Sequence, residues 1–74
     1  MKQLDFDNHM KQLFEINDKK YEIEKKIESL IELDSLNRLK MLTFLSENKK
    51  IITNEKIKKF KKFIDIYKFI TKKN

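Results

Sequence analysis

Seventy-four residues, 39% apolar and 41% charged, are enough for one domain with a thin core. With no cysteine and a single histidine, His9, disulfides, thiolate metal sites and multi-histidine metal sites are excluded, which leaves self-association as the help open to so small a scaffold. The net charge of +6 is unevenly spread: residues 1–48 sum to −2, while residues 49–74 carry ten lysines against Glu55 and Asp65 and sum to +8.

Glycine and proline are both absent, so nothing breaks a helix by ring chemistry or supplies a cheap positive φ. Hairpin dipeptides and period-2 alternation are missing as well. The expected fold class is all-α: a small three-helix bundle, or a helical hairpin plus a basic C-terminal helix. The chain reads as a single helical domain over 1–74 with helices at about 5–33, 35–47 and 54–72, and a homodimer and a monomer are equally compatible with so small a core.

The first helix is expected to start at Asp5 or Asp7 and to run to about Leu33. Phe6, Leu13, Ile16, Ile23, Ile27 and Leu30 keep one heptad phase, with Met10, Phe14 and Tyr21 as a flanking stripe. The pairs Asp7–Lys11, Glu15–Lys19 and Glu22–Lys26 have the favourable i,i+4 orientation. Asn17-Asp18 could begin a new helix, but the phase survives across it, so the helix is read as continuous. At 1.5 Å per residue it would be about 42 Å long and would need two other helices or a second chain to pack against.

The phase breaks at Leu33-Asp34-Ser35-Leu36, where Asp34 or Ser35 can cap a second helix carrying Leu36, Leu39, Leu42 and Leu45, with Met41 and Phe44 beside them. Asn48 can take a left-handed cap position, and Lys49 to Ile52 form a connector. Thr53 or Asn54 caps the third helix, with Glu55 in its first turn. Ile57, Phe60, Ile64, Tyr67 and Thr71 lie on one face of that helix, widened by Phe63, Ile66, Phe69 and Ile70. Such a face is broader than one contact in a small bundle requires, and an apolar excess of this kind marks an interface.

Catalytic chemistry has little to stand on. His9 falls on the heptad seam, and Glu22, Glu24, Glu28 and Glu32 read as a solvated face neutralised by Lys25 and Lys26. No glycine-rich phosphate loop is present, so a non-enzyme without cofactors is expected. The N-terminus Met1-Lys2-Gln3-Leu4-Asp5 meets acid before any apolar run, so no signal peptide is expected, and no stretch approaches the roughly 18 apolar residues of a membrane span. A cytoplasmic protein is therefore expected. Lysine outnumbers arginine seventeen to one, which fits AT-rich codon usage and is compatible with an AT-rich bacterium, its phage or another mobile element, or an AT-rich virus as the source.

The expected function is a small regulator, an inhibitor or adaptor, that binds another protein. Its contact residues are expected to be Lys58, Lys59, Phe60, Lys61, Lys62, Phe63, Tyr67, Lys68 and Phe69 of the basic third helix, since aromatics dominate interface hot spots. The competing expectation is that about half of these aromatics close the domain's own core. Nucleic-acid binding through the same lysines is the alternative, although guanine reading prefers arginine and Arg38 is the only one. The run Asn37-Arg-Leu-Lys-Met-Leu-Thr-Phe-Leu-Ser-Glu-Asn48, followed by Ile52-Thr53-Asn-Glu-Lys-Ile57, resembles the first two helices of a winged-helix regulator. The resemblance covers about twenty residues and implies DNA binding, but the separate recognition helix and wing of that family have no counterpart here. A Lys-rich helix with a Phe and Ile face lying on anionic lipid is the third reading, weakened by the absence of Trp.

Overall fold

The first helix stops at little more than a third of the expected length because its end is closed by backbone hydrogen bonds. In the computed structural model, which describes residues 1–50 and 52–72 apart from the side chain of Asn54, α1 spans Gln3–Leu13. Glu15 adopts a left-handed φ of 54°. Its N–H donates to Gln12 O at 3.4 Å, and Ile16 N–H donates to Lys11 O at 2.9 Å. Those two bonds are the pair that defines a Schellman ending, made here without glycine. The following residues turn instead of continuing: Asn17 Oδ1 accepts Lys19 N–H at 2.8 Å, and its backbone carbonyl accepts Lys20 and Tyr21 N–H at 2.9 and 3.0 Å. An asparagine that bonds its own downstream backbone competes directly with the helix ladder.

The helix expected over 5–33 is therefore not formed. Residues 16–26 are irregular, with turns at 18–20 and 23–24, and α2 is the single turn Ile27–Leu30. None of the three expected i,i+4 ion pairs is made; among the described residues the one ion pair is Lys11–Asp18, 3.2 Å, which ties the new turn back to α1.

Helix α3, Ser35–Glu47, lies where the Asp34 cap and the leucine spacing place it, with Asp34 Oδ1 accepting Asn37 N–H at 2.8 Å. At its far end Asn48 keeps φ −96°, so the left-handed position falls to Lys49, φ 61°, and not to Asn48 as expected. Lys49 N–H to Ser46 O and Lys50 N–H to Leu45 O, 2.9 and 2.8 Å, repeat the ending of α1.

The helix expected over 54–72 is two helices, α4 Asn54–Ile57 and α5 Phe63–Thr71. Between them Lys61 and Lys62 are extended and lie antiparallel to Lys25 and Lys26. Ile27 N–H donates to Lys61 O (2.9 Å), Phe63 N–H to Lys25 O (3.3 Å) and Ile64 N–H to Ile23 O (2.8 Å). The last two donors belong to the first turn of α5, where no intrahelical acceptor exists. Thr53 Oγ1 accepts Lys56 N–H at 3.3 Å and so caps α4. Ile51 of the connector, the Asn54 side chain as alternative cap, and Lys73 and Asn74 lie outside the described residues.

The chain is thus mostly helical with almost no strand, with five helices among the described residues. Its radius of gyration, 11.4 Å, matches the roughly 11.3 Å of a compact chain of this length. The core consists of Phe6, Met10 and Phe14 from α1 and its end, Ile27, Met41, Phe44 and Leu45 of α3, Ile57, and Phe63 and Ile66 of α5, with Ile16 and Ile31 at its margin. Along α1 and its end the buried stripe is Phe6, Met10 and Phe14 at i, i+4 and i+8, which joins Phe6 of the heptad phase to two residues that the heptad reading treats as flanking. Phe6 joins three helices, its ring 5.9 Å from Phe44 and 5.2 Å from Tyr67.

Replacing Glu15 by glycine separates the two accounts of residues 14–16. In a continuous helix Glu15→Gly would cost about 1 kcal/mol. At the left-handed position observed here it relieves side-chain crowding, and stability should hold or rise by about 0.5–1 kcal/mol. A denaturant midpoint measured at unchanged m-value checks the sign.

Candidate protein-binding surface

The nine residues expected to bind a partner do not lie on one helix. Lys58 and Lys59 form the turn after α4, with Lys59 N–H bonded to Lys56 O at 3.1 Å and Phe60 N–H to Ile57 O at 3.1 Å. Lys61 and Lys62 lie on the extended segment, and Lys68 on α5. All five of these lysines are exposed. Of the five, Lys61 and Lys62 lie on backbone held by the pairing with residues 23–27.

The four aromatics of that set face inward to differing degrees. Phe63 is fully buried, its ring 5.3 Å from Tyr21, so it belongs to the core and offers no surface. Tyr67 is half-buried against Phe6, with its hydroxyl donating to Met1 O at 3.3 Å. Phe60 packs on Phe69, centroids 5.4 Å apart, and both are half-buried. The Phe69 ring is further covered by the ammonium groups of Lys56 at 4.7 Å and Lys50 at 5.7 Å. Cation–π contacts of this kind contribute about 0.5–1 kcal/mol each at exposed sites.

The largest exposed apolar side chains lie elsewhere. Leu4 and Met1 are exposed at the N-terminus, 69% and 51%, while Leu36 and Leu39 on α3 are each 60% exposed and Leu33 lies just ahead of them at 36%. At 100° per residue, Met41, Phe44 and Leu45 occupy one side of α3, and Leu36, Leu39 and Leu42 roughly the opposite side. Only the first set is buried, while Leu42 is half-buried. The signal in the sequence was the all-round apolarity of α3, which the i,i+3 leucine row disguised as a single stripe.

The exposed side of α3 borders a groove of about 550 Å³ lined by Ser35, Arg38, Leu39, Leu42 and, from the turn after α4, Lys58. A narrower cleft of about 40 Å³ continues past Lys58 along Ile27, Glu28, Leu33, Phe60 and Lys61. The expected surface residues Lys58, Phe60 and Lys61 are thus brought beside the leucines, while Phe63 is withdrawn. The fold supplies the juxtaposition: Asp34 sets where α3 starts, and the 23–27 pairing sets where the basic turn lies.

Two polar contacts hold this geometry. Asp65 Oδ2 accepts Lys62 N–H at 2.9 Å and Lys61 N–H at 3.0 Å, closing the start of α5. The N-cap residue Lys62 has no side-chain acceptor, so its backbone carbonyl takes Asp65 N–H at 3.0 Å in return. The Lys62 backbone N–H holds the Asp65 carboxyl below the ordinary aspartate range, helped by the Lys61 N–H and by the charges of Lys62 and Lys68 and opposed by partial burial. On the other side of the pairing, Tyr21 donates its hydroxyl to Asp7 Oδ1 at 2.7 Å. Burial first, then that bond and the Asp7 charge, keep the phenol protonated well above its usual range.

His9 lies half-buried, edge-on to Phe44 at 4.7 Å. Glu22, Glu24, Glu28 and Glu32 are exposed, but they are spread over the turn ahead of α2, α2 itself and the linker that follows it, and share no helix face. Among the described residues no three His, Asp or Glu side chains converge on a point that would hold a metal ion.

Because the folded state lowers the Asp65 pKa, the stability it contributes is present above the unfolded aspartate value near 4 and is lost as pH falls through the lower folded value. Asp65→Asn should cost about 1 kcal/mol at pH 7, the scale of a helix cap. It should also shrink the difference between denaturation midpoints measured at pH 7 and pH 3. Comparison with known proteins leaves this surface to be read from its own chemistry, since no family model, no curated protein and no solved structure matches the chain.

Proposed function

We propose that this chain is a small non-enzymatic regulator that acts by binding another protein, as an inhibitor or adaptor. The observation that carries the reading is Leu39, 60% exposed on a groove that it lines with Leu42, with Leu36 equally exposed one turn earlier on α3. Burying a leucine side chain contributes about 1.5–3 kcal/mol, and exposed apolar side chains that adjoin one another and are rimmed by polar residues mark interaction sites. The contact element differs from the basic-helix face expected from sequence. It is the outer side of α3 together with the Lys58–Lys62 turn, because the aromatic anchors of α5 are largely occupied by the core.

Affinity capture on the immobilised protein, with nuclease treatment and with a Leu39→Lys variant in parallel, tests this reading. A stoichiometric protein that resists nuclease and is lost with Leu39→Lys is the expected result. Loss of every bound species on nuclease treatment would refute it.

Nucleic-acid binding is the second reading, supported by Lys58, Lys59, Lys61 and Lys62 lying exposed in one short stretch. Under it, double alanine replacement of Lys58 and Lys62 should weaken binding to any duplex and lower the salt slope by about 2. An unchanged affinity for the double variant would remove that reading.

A further inference from the structure

We propose that the groove between α3 and the turn after α4 receives an acidic amphipathic helix of the partner protein, its apolar side chains on Leu39 and Leu42 and its carboxylates on Arg38 and Lys58. This inference rests on the protein-binding reading above and adds the chemistry of the partner.

The groove lining combines two leucines, two cations and one hydroxyl, with no acid. Its apolar part asks for aliphatic or aromatic side chains. Leu39 and Leu42 are one helical turn apart, the spacing at which a second helix presents its own i,i+3 and i,i+4 side chains. The cations decide the rest. Among the described residues the one ion pair is Lys11–Asp18, so neither Arg38 nor Lys58 is held by a carboxylate. A purely apolar occupant would strip water from both cations and return nothing, which is costly. Carboxylates placed beside the apolar anchors return charge-assisted hydrogen bonds, and Arg38 offers a planar fork for one of them. Lys61, in the adjoining cleft with Leu33, extends the same pattern, although Glu28 there limits how far an acidic row can run.

Charge also argues against the other occupants. A second copy of this chain carries the same +6, and a twofold contact through this face would bring the Arg38 and Lys58 cations of both copies into one interface whose groove lining supplies no acid. A basic segment is repelled outright. A nucleic-acid backbone would satisfy the cations but has nothing to cover Leu39 and Leu42, whose burial the groove rewards.

The test uses the full chain and a displayed library of random 16-residue peptides. Selected peptides are then measured by fluorescence anisotropy against the wild type, Leu39→Ser and Lys58→Glu. Both substituted side chains are exposed, so circular dichroism should show the fold retained. The expected result is enrichment of net-negative sequences with apolar residues at i, i+3 or i+4, and i+7. Each substitution should weaken binding at least tenfold, and Lys58→Glu should recover affinity for a peptide in which glutamates are exchanged for lysine. That exchange keeps the proposal falsifiable even if one variant is less stable. Binding of the selected peptides that is unaffected by Leu39→Ser and Lys58→Glu would overturn the groove as the site while leaving protein binding in place. Enrichment of neutral or basic peptides at the groove would overturn the acidic partner. A dimer in sedimentation that dissociates with Leu39→Ser, with no peptide enriched, would make a second copy the occupant. Failure to enrich any peptide together with tight nucleic-acid binding would overturn both this inference and the reading beneath it.

Discussion

The arrangement of this chain depends on one short backbone pairing, that of residues 23–27 with residues 61–64. The three N–H···O bonds between them, 2.8 to 3.3 Å long, are few. Two of them satisfy donors at the start of α5 that a helix by itself leaves unpaired. Because those donors are met from outside, the helix can begin at Phe63 without a conventional side-chain cap on Lys62, and Asp65 closes the remaining positions. The same pairing takes the backbone of Ile23, Lys25 and Ile27 out of any helix ladder running through residues 23–26. It therefore removes the middle of the long first helix and the middle of the long third helix in a single step.

The core forms around that constraint. With the chain turned at Lys61–Lys62, Phe63 and Ile66 enter the interior, and Tyr21 lies against Phe63 while its hydroxyl reaches Asp7 on α1. Phe6 then connects α1 to both α3 and α5 through ring contacts of 5.9 and 5.2 Å. Edge-on and tilted aromatic pairs of this kind add about 0.5–1.5 kcal/mol beyond the area they bury. In a domain of this size, whose whole stability is on the order of 5–10 kcal/mol, that increment is substantial. The aromatics that read as partner anchors are largely used here. The outer leucines of α3 are left because a thin core reaches only one side of that helix.

The electrostatic consequence follows from the same geometry. The sequence itself puts four lysines in the five residues 58–62; the turn that replaces a continuous helix there sets Lys58 on the same groove as Arg38. Charge and exposed apolar area thereby meet at one groove, and a mixed surface of that type suits protein recognition better than a uniformly cationic one.

What could be read without the fold were the features set by local chemistry. The helical class follows from the absence of glycine, proline and hairpin dipeptides, and α3 follows from Asp34 and the apolar residues behind it. The uneven charge was equally plain. What the tertiary structure decided was everything that depends on a distant acceptor. The heptad phase from Ile16 through Ile23 to Leu30 reads as a helix only while the backbone of Ile23 to Ile27 is assumed to bond to itself; residues 61–64 offer it other partners, and the Asn17 turn makes the change of direction cheap. Lys58 to Lys62 contain no helix breaker, so nothing local marks the break there. Glu15 and Lys49 take left-handed positions that residue type alone assigns to glycine or asparagine, because two carbonyls at each helix end gain partners when they do. Which side of α3 meets Phe6, and so which leucines remain in water, is likewise a property of packing and not of the helix sequence itself.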